Sequence, residues 1–569
     1  MDNIHSYEVT DYYSNQTRYI VQFKILRNQV CGMYLYKLNF RLTLTENLNE
    51  SNNLHRLTLF LAKKMRFTLC FFLLIGFHSY SQIEQIYCSE INAILKTKDV
   101  FPFGIASGDP KENGIVLWTA LNPFKLQPFR MVSCQISEQA NFNEVARTYQ
   151  YEVSIARGLS VKITATNLSQ DKPYYYRFIY GEDTSAIGRT KTVGTNPVAL
   201  KFAVVSCSNY EWGYFNAYES ISKIPNLDFV IHLGDYIYEY GPGVYGDKSL
   251  NRLHLPAKEL VSLQDYRSRY AQYRLDEQLQ MAHQNIPFIS VWDDHEIAND
   301  TYTEGAQNHQ ADEGDWNERK LAAQQAYFEW LPITDNTKYE IQRAFSFGSL
   351  ADLYMLDERL KGRTKQPMQE SETPEGQSML GENQFNWLVN SMNQSEATWN
   401  IIGKQVLFSN ITIPSTVTGI NKSMDTWQGY LYERDHLFDE FSRLNVTRNQ
   451  GNNLIVLTGD IHSSLAIKLK HKNMSLGAEW VAPSVTSANY NERFSTCRTK
   501  SAERKLAKNA INPNLNFVNL RHHGYVLVEL STSQATSTWY KVKVNKPHKA
   551  KSKKIHLETL KRTLTLDGK

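Results

Sequence analysis

An α/β body preceded by a small β-sandwich is what the sequence predicts, and three observations predict it. Between residues 101 and about 195, short alternating runs are punctuated by turn residues. Beyond 195, short apolar runs alternate with long amphipathic segments. Four of those apolar runs deliver acidic, tyrosyl, histidyl or cysteinyl side chains from their carboxyl ends. The 569 residues, 42% of them hydrophobic, can bury a large core, which excludes disordered, collagen-like and small disulfide-knit classes.

In chain order, the first feature is a targeting pattern. Lys63, Lys64 and Arg66 precede an uncharged apolar run at 67–77, and Ser79 and Ser81 supply small residues before Gln82. This is the pattern of a Sec- or Tat-type export signal, and the run is too short for the ~20 residues of a membrane span. The signal lies internally and begins at Met65, so residues 1–64 read as an upstream extension from a start assigned too early. They show no clear periodicity on this reading, and the exported chain is expected to begin near Gln82, secreted or held in the periplasm or cell envelope without a transmembrane anchor. Export permits a disulfide among Cys88, Cys134 and Cys497.

Residues 82–198 carry the alternating runs at 114–118, 161–165 and 174–180, separated by Gly108-Asp109-Pro110 and Asp171-Lys172-Pro173. Regular short strands with such turns predict a β-sandwich of the immunoglobulin or fibronectin type III kind. Residues 199–540 carry apolar runs at 202–205, 229–233, 288–292, 401–406 and 454–457. Between them, residues 315–330 place Ala322, Ala323, Ala326, Tyr327 and Trp330 on one helical face, and residues 258–280 read as a helix rich in Tyr and Arg. Such alternation predicts strands buried on both faces.

Net charge is only +4, yet residues 541–569 hold ten Lys/Arg against two acidic residues, leaving the remainder net acidic. No specific nucleic-acid partner is expected. The tail reads as a solvated, disordered end that can touch an anionic envelope surface.

The chemistry lies after the strands. The run at 202–205 leads into Ser206-Cys207-Ser208-Asn209, and 229–233 into Gly234-Asp235-Tyr236-Ile237-Tyr238-Glu239. The run at 288–292 leads into Asp293-Asp294-His295-Glu296, and 454–457 into Thr458-Gly459-Asp460-Ile461-His462-Ser463. Ligands bind at the carboxyl edge of open α/β sheets. Carboxylates crowded there repel unless a multivalent cation neutralises them. Thiolate and phenolate favour a redox-capable ion such as iron, and the oxygen-rich remainder a hard ion such as calcium or magnesium. No H-E-x-x-H is present, which argues against a zinc peptidase.

These residues resemble the calcineurin-like metallophosphoesterases, and specifically the PhoD-like alkaline phosphatases/phosphodiesterases, relatives of the purple acid phosphatases. Gly234-Asp235-Tyr236-Ile237-Tyr238 is similar to the family's G-D-x-x-Y block. Asp293-Asp294-His295-Glu296 stands where the superfamily has G-N-H-E, and Gly459-Asp460-Ile461-His462 where it has G-H-x-H. Those departures, with Cys207 in place of an acidic ligand, single out the PhoD branch. Ser107-Gly108-Asp109-Pro110, Leu117-Trp118-Thr119, Asp357-Glu358-Arg359 and Gly524-Tyr525 extend the resemblance.

The resemblance implies a four-layer αββα sandwich holding one Fe(III) and two Ca(II), with Zn(II) or Mg(II) as alternatives. Carried over by position, Cys207, Asp235, Tyr238 and His462 would hold iron. Asp235 would bridge to calcium, with Asp294, Asp460 and Asn299 as further ligands. His295 is expected to assist the leaving group and Arg359 to bind phosphate oxygens, with Arg363 a weaker candidate. One of His522 and His523 at most could reach the site, since neighbours on a strand point to opposite faces. The expected activity is hydrolysis of phosphate mono- or diesters by hydroxide generated on the metals. The rival is a secreted, calcium-loaded adhesion protein without turnover, against which Cys207 and His462 argue.

Overall fold

The computed structural model describes residues 85–547 with breaks at 128–129, 370–375, 416, 418–422, 449–451 and 509, together with backbone strands at 5–14, 17–30, 33–44 and 553–561. The export signal lies outside the described residues. The chain divides into two compact units, Met1–Ser81 and Gln82–Lys569.

The first unit is an antiparallel meander of His5–Ser14, Thr17–Val30 and Met33–Leu44. Its register sets Val21 opposite Leu42, Phe23 opposite Phe40 and Ile25 opposite Leu38. This corrects the reading of residues 1–64 as aperiodic. Val21-Gln22-Phe23-Lys24-Ile25 alternates with the period of two that a strand requires.

The second unit is a mixed α/β structure of several sheets. A nine-stranded sheet runs in the order Lys553–Lys561, Gln534–Val542, His523–Ser531, Ala199–Val205, Phe229–His232, Phe288–Ser290, Ile105–Gly108, Ile115–Ala120 and Ser160–Ala165. Ala199–Val205, Phe229–His232 and Phe288–Ser290 are parallel. A seven-stranded sheet holds Ala351–Met355, Trp399–Lys404, Leu454–Thr458 and Met474–Val481 as parallel neighbours, flanked by antiparallel strands. The apolar runs at 202–205 and 454–457 lie within these strands, and those at 229–233, 288–292 and 401–406 form strands that end one or two residues earlier than read. Both sheets feed one core, in which Phe202, Phe229 and Ile231 pack with Leu353, Ile401 and Leu457. Phe229 stacks on Phe202 at 4.9 Å and on Phe347 of the other sheet at 5.2 Å.

The alternating runs near the N-terminus form strands as predicted, and Met131–Ser137 and Arg147–Glu152 join Pro173–Tyr180 in a separate five-stranded sheet. Three strands of this segment, however, extend the nine-stranded sheet, with Gly108 paired to Phe288. Trp118, fully buried, donates from Nε1 to the Glu329 carbonyl at 2.7 Å, with the Arg274 guanidinium 4.5 Å over its ring.

Three expectations are corrected. The helix at 258–280 is two, Leu263–Arg274 and Glu277–Asn285, because Asp276 accepts the amides of Gln278 and Leu279 and starts a second helix. The basic tail is not wholly disordered: Lys553–Lys561 pairs antiparallel with Gln534–Val542, following its alternation of apolar and polar residues. Cys88, Cys134 and Cys497 are free thiols. By contrast, Trp316–Trp330 is helical as read, N-capped by Asp315, with Ala323, Ala326, Tyr327 and Trp330 buried.

Candidate functional site

The loops that leave the parallel strands are short and bent by left-handed residues. Cys207, Asp235, Asp460 and His462 have φ of 61°, 56°, 61° and 48°. An L-residue held there costs on the order of 1–3 kcal/mol, and such strain gathers at functional sites. Gly234, at φ 103°, is required where it stands, since a Cβ would come within 2.4 Å of Asp293. These bends turn the side chains of successive loops toward one another.

Three groups of metal-competent atoms result, each with its atoms within 4.8 Å: Cys207, Asp235 and His462; Asp235, Asp294 and His295; Asp293, Asp294 and Asp460. Asp235 and Asp294 each belong to two groups, so the three are contiguous. The Tyr238 hydroxyl donates to Asp235 Oδ2 at 2.8 Å and lies 3.3 Å from His462 Nε2 and 2.6 Å from Ser487 Oγ. The sequence motif gives Asp293 no role of its own, and its place beside Asp294 is the available signal. Asn299 is not among these groups' atoms; its side-chain Nδ2 donates to Gln307 Oε1 at 3.0 Å.

The electrostatics favour cations. Burial first, and then neighbouring carboxylates, push Asp235, Asp293 and Asp460 well above the usual carboxylate range. Burial also drives the Cys207 thiol and Tyr238 phenol up, with Asp235 adding to both. Asp294 is the exception. Burial opposes its charge, but Arg359 and His295 overcome this and hold it at about 2. Burial, then the charges of Arg493 and His295, bring His462 down to about 3, leaving a neutral ring with a lone pair to offer. Asp293 Oδ2 and Asp294 Oδ1 are buried without a hydrogen bond, Asp294 Oδ1 lying 3.1 Å from Arg359 Nη2 but out of alignment. Orphaned carboxylate oxygens beside a thiol, a phenol and a neutral imidazole suit metal ions.

An outer layer holds these groups. Glu296 accepts the amides of Asp235 at 2.8 Å, Tyr236 at 2.6 Å and Asp293 at 2.8 Å. Glu239 Oε2 lies 2.7 Å from His295 Nδ1, and its Oε1 accepts Asn299 N and Asn308 Nδ2 at 2.8 Å each. Burial opposes the His295 cation, but Glu239, Asp294 and Asp235 outweigh it and raise the imidazole well above its ordinary value. Of the two adjacent histidines, His523 is buried between Ser484 Oγ and Glu492 Oε1, at 3.0 and 2.9 Å, and His522 meets Asn519.

Arg359 sits in the loop that follows the strand Ala351–Met355, with no exposed surface. Its Nε donates to Asp293 Oδ1 at 2.5 Å and its Nη1 to both oxygens of Asp425 at 2.9 Å. Its Nη2 lies 3.1 Å from Asp294 and 3.8 Å from Asp460. Arg363 is buried likewise, on Asp425, Tyr430 and the Glu358 carbonyl. Asp425 has no strand-end motif around it in the sequence, so nothing local marks it.

The family model described as PhoD-like phosphatase matches residues 202–539, and that of the PhoD-like phosphatase N-terminal domain matches 89–194. The chain belongs to the PhoD-like phosphatase family. It is 35% identical over 484 residues to alkaline phosphatase D of Bacillus subtilis (strain 168), covering 79% of each chain. A solved structure of PhoD superposes with a TM-score of 0.73 at 31% identity, over 82% of this chain and 91% of that one. The two PhoD-like segments meet within the nine-stranded sheet described above.

Proposed function

We propose that this PhoD-like chain is a metal-dependent hydrolase of phosphate esters. The three contiguous groups sharing Asp235 and Asp294 carry the reading, since joined ions can hold both the attacking and the leaving oxygen of a displacement at phosphorus. Fe(III) would fit Cys207, Asp235, Tyr238 and His462. Ca(II) would fit Asp235, Asp293, Asp294 and Asp460, with Asn299 Oδ1 as a further oxygen ligand, since the Gln307 contact uses only its Nδ2. Such ions would supply an acidified water and neutralise phosphate charge.

The chain's own residues do the rest. Glu239 holds the His295 Nδ1–H, so that Nε2 faces the groups around Asp235 and can pass a proton to the leaving oxygen. Arg359 offsets the ligand carboxylates from behind, with Nη1 committed to Asp425 and only Nη2, which makes no hydrogen bond, left for a phosphate oxygen. A calcium-loaded adhesion protein needs no buried thiol and imidazole, whereas calcium takes oxygen ligands.

The four-layer αββα arrangement fits the common core of the two large sheets. The divisions proposed are 65–81 for the export signal, 82–198 and 199–540 for the two PhoD-like segments, and 541–569 for the basic tail. Secretion or envelope association is inferred from the signal pattern, and no helix among the described residues is long and apolar enough to cross a membrane. The test is release of nitrophenol from bis-p-nitrophenyl phosphate and p-nitrophenyl phosphate before and after chelation. Loss with chelator and recovery with iron and calcium is expected; chelator-insensitive turnover, or none in metal-replete protein, overturns the reading.

A further inference from the structure

Arg269, Arg359, Arg363 and Arg493 approach the ligand loops, and the first three are fixed in the interior. Arg359 and Arg363 are held by the buried carboxylates described above. Arg269, fully buried, donates to the carbonyls of Leu255, Tyr238 and Tyr240 and so ties down the loop that carries Tyr238. Arg493 differs. It closes the short helix Tyr490–Arg493, is exposed to solvent, and has none of the described carboxylates within ion-pair distance.

Its place is nevertheless defined. Arg493 Nη2 donates to the Tyr245 hydroxyl at 3.2 Å, with the guanidinium carbon 5.4 Å from that ring. The same hydroxyl lies 3.4 Å from His462 Nδ1, and the Tyr245 ring lies 5.8 Å from that of Tyr238. Tyr245 is anchored in turn, its carbonyl accepting from Asn209 Nδ2 at 3.0 Å and its ring edge-on to Trp212 at 5.7 Å. The helix is held at its base: Glu492 Oε2 accepts the Asn489 amide at 2.7 Å, Glu492 Oε1 meets His523 Nε2 at 2.9 Å, and Tyr490 N donates to the Leu520 carbonyl at 3.1 Å. The backbone is therefore fixed while the guanidinium stands at the rim, one hydroxyl away from a candidate metal ligand.

We infer that Arg493 is the substrate-binding arginine of this site, gripping a non-bridging phosphate oxygen of the ester as it settles on the metal groups. The inference rests on the phosphoesterase reading. A planar guanidinium without a carboxylate partner is free to take a phosphate oxygen through two N–H groups, whereas Arg359 is buried, spends its Nε and Nη1 on Asp293 and Asp425, and has only Nη2, set between Asp294 and Asp460, left to offer. Tyr245 serves as its rest in the absence of substrate, and as a positioning residue keeps the fork directed at the metal side.

The experiment uses the full-length, metal-replete protein with Arg493→Gln, Arg493→Lys and Tyr245→Phe. The probes are inorganic phosphate, titrated calorimetrically and as a competitive inhibitor, and bis-p-nitrophenyl phosphate turnover. Arg493→Gln is expected to weaken phosphate binding and raise KM about tenfold, the scale of a charge-assisted hydrogen bond, with kcat and iron and calcium content little changed. Arg493→Lys recovers part of the loss, because charge remains and the fork does not. Unchanged phosphate affinity and KM in Arg493→Gln overturns the inference, as does a loss that tracks falling metal content. Absence of turnover in the unsubstituted protein sinks the hydrolase reading alone, since the phosphate titration still reads Arg493 directly.

Discussion

Glu296 stands between Asp235 and Asp293, its Oε2 2.8 Å from the backbone amide of each. One carboxylate thus sets the spacing of two loops from neighbouring parallel strands, and with it the relative placement of the three metal-competent groups. A carboxylate is needed because every partner there is an N–H donor, and an amide would turn its own NH2 toward one of them.

Glu296→Gln is therefore expected to leave the fold intact but lower metal content and activity together by roughly 10- to 100-fold, as loss of an outer-shell partner does. Metal analysis alongside kcat/KM checks this. Full occupancy with unchanged turnover would remove Glu296 from the site.

Asp235 belongs to two of the three groups, so its loss is felt at more than one ion. Asp235→Asn should abolish measurable turnover and reduce both iron and calcium. If only one metal falls, the bridging assignment fails.

Asp425 supports two buried guanidinium groups, those of Arg359 and Arg363. Asp425→Ala leaves both cations without their shared partner, at a cost of about 3–5 kcal/mol. Chemical denaturation should show that drop in stability even in apo protein, which separates it from an effect of metal loss.

Trp118 docks the N-terminal strands on the helix that ends at Trp330, whose ring lies 5.7 Å away. Trp118→Ala should destabilise the whole second unit by about 3–5 kcal/mol in one transition. A separate early transition of residues 89–194 would show instead that this segment melts on its own.

Much of this architecture was legible because it rests on local pattern. The apolar runs at 202–205, 229–233 and 454–457 form strands, and the residues after them, Cys207, Asp235 and Asp460, meet where parallel strands of the two sheets end together. Tyr238 and His462 were legible by spacing from those positions. Asp425 and Ser487 were not, because they reach the site through the seven-stranded sheet and its long connections, and nothing in their immediate sequence marks them. Arg359 was legible as present but not as buried, since its carboxylate partners are scattered from Asp293 to Asp460. The join between the N-terminal strands and the nine-stranded sheet is not legible in the sequence, because the pairing of Gly108 with Phe288 is long-range and periodicity describes a strand without naming its neighbour.

The nine-stranded sheet has a consequence for how the chain is made. Ala199–Val205, whose loop carries Cys207, is paired on one side by Phe229–His232 and on the other by His523–Ser531, with Phe202 opposite Val528. The strand emerges early in synthesis and waits for a partner encoded near the other end. The thiol loop thus cannot be fully seated until translation is nearly complete, and pairings of this sequence separation form slowly.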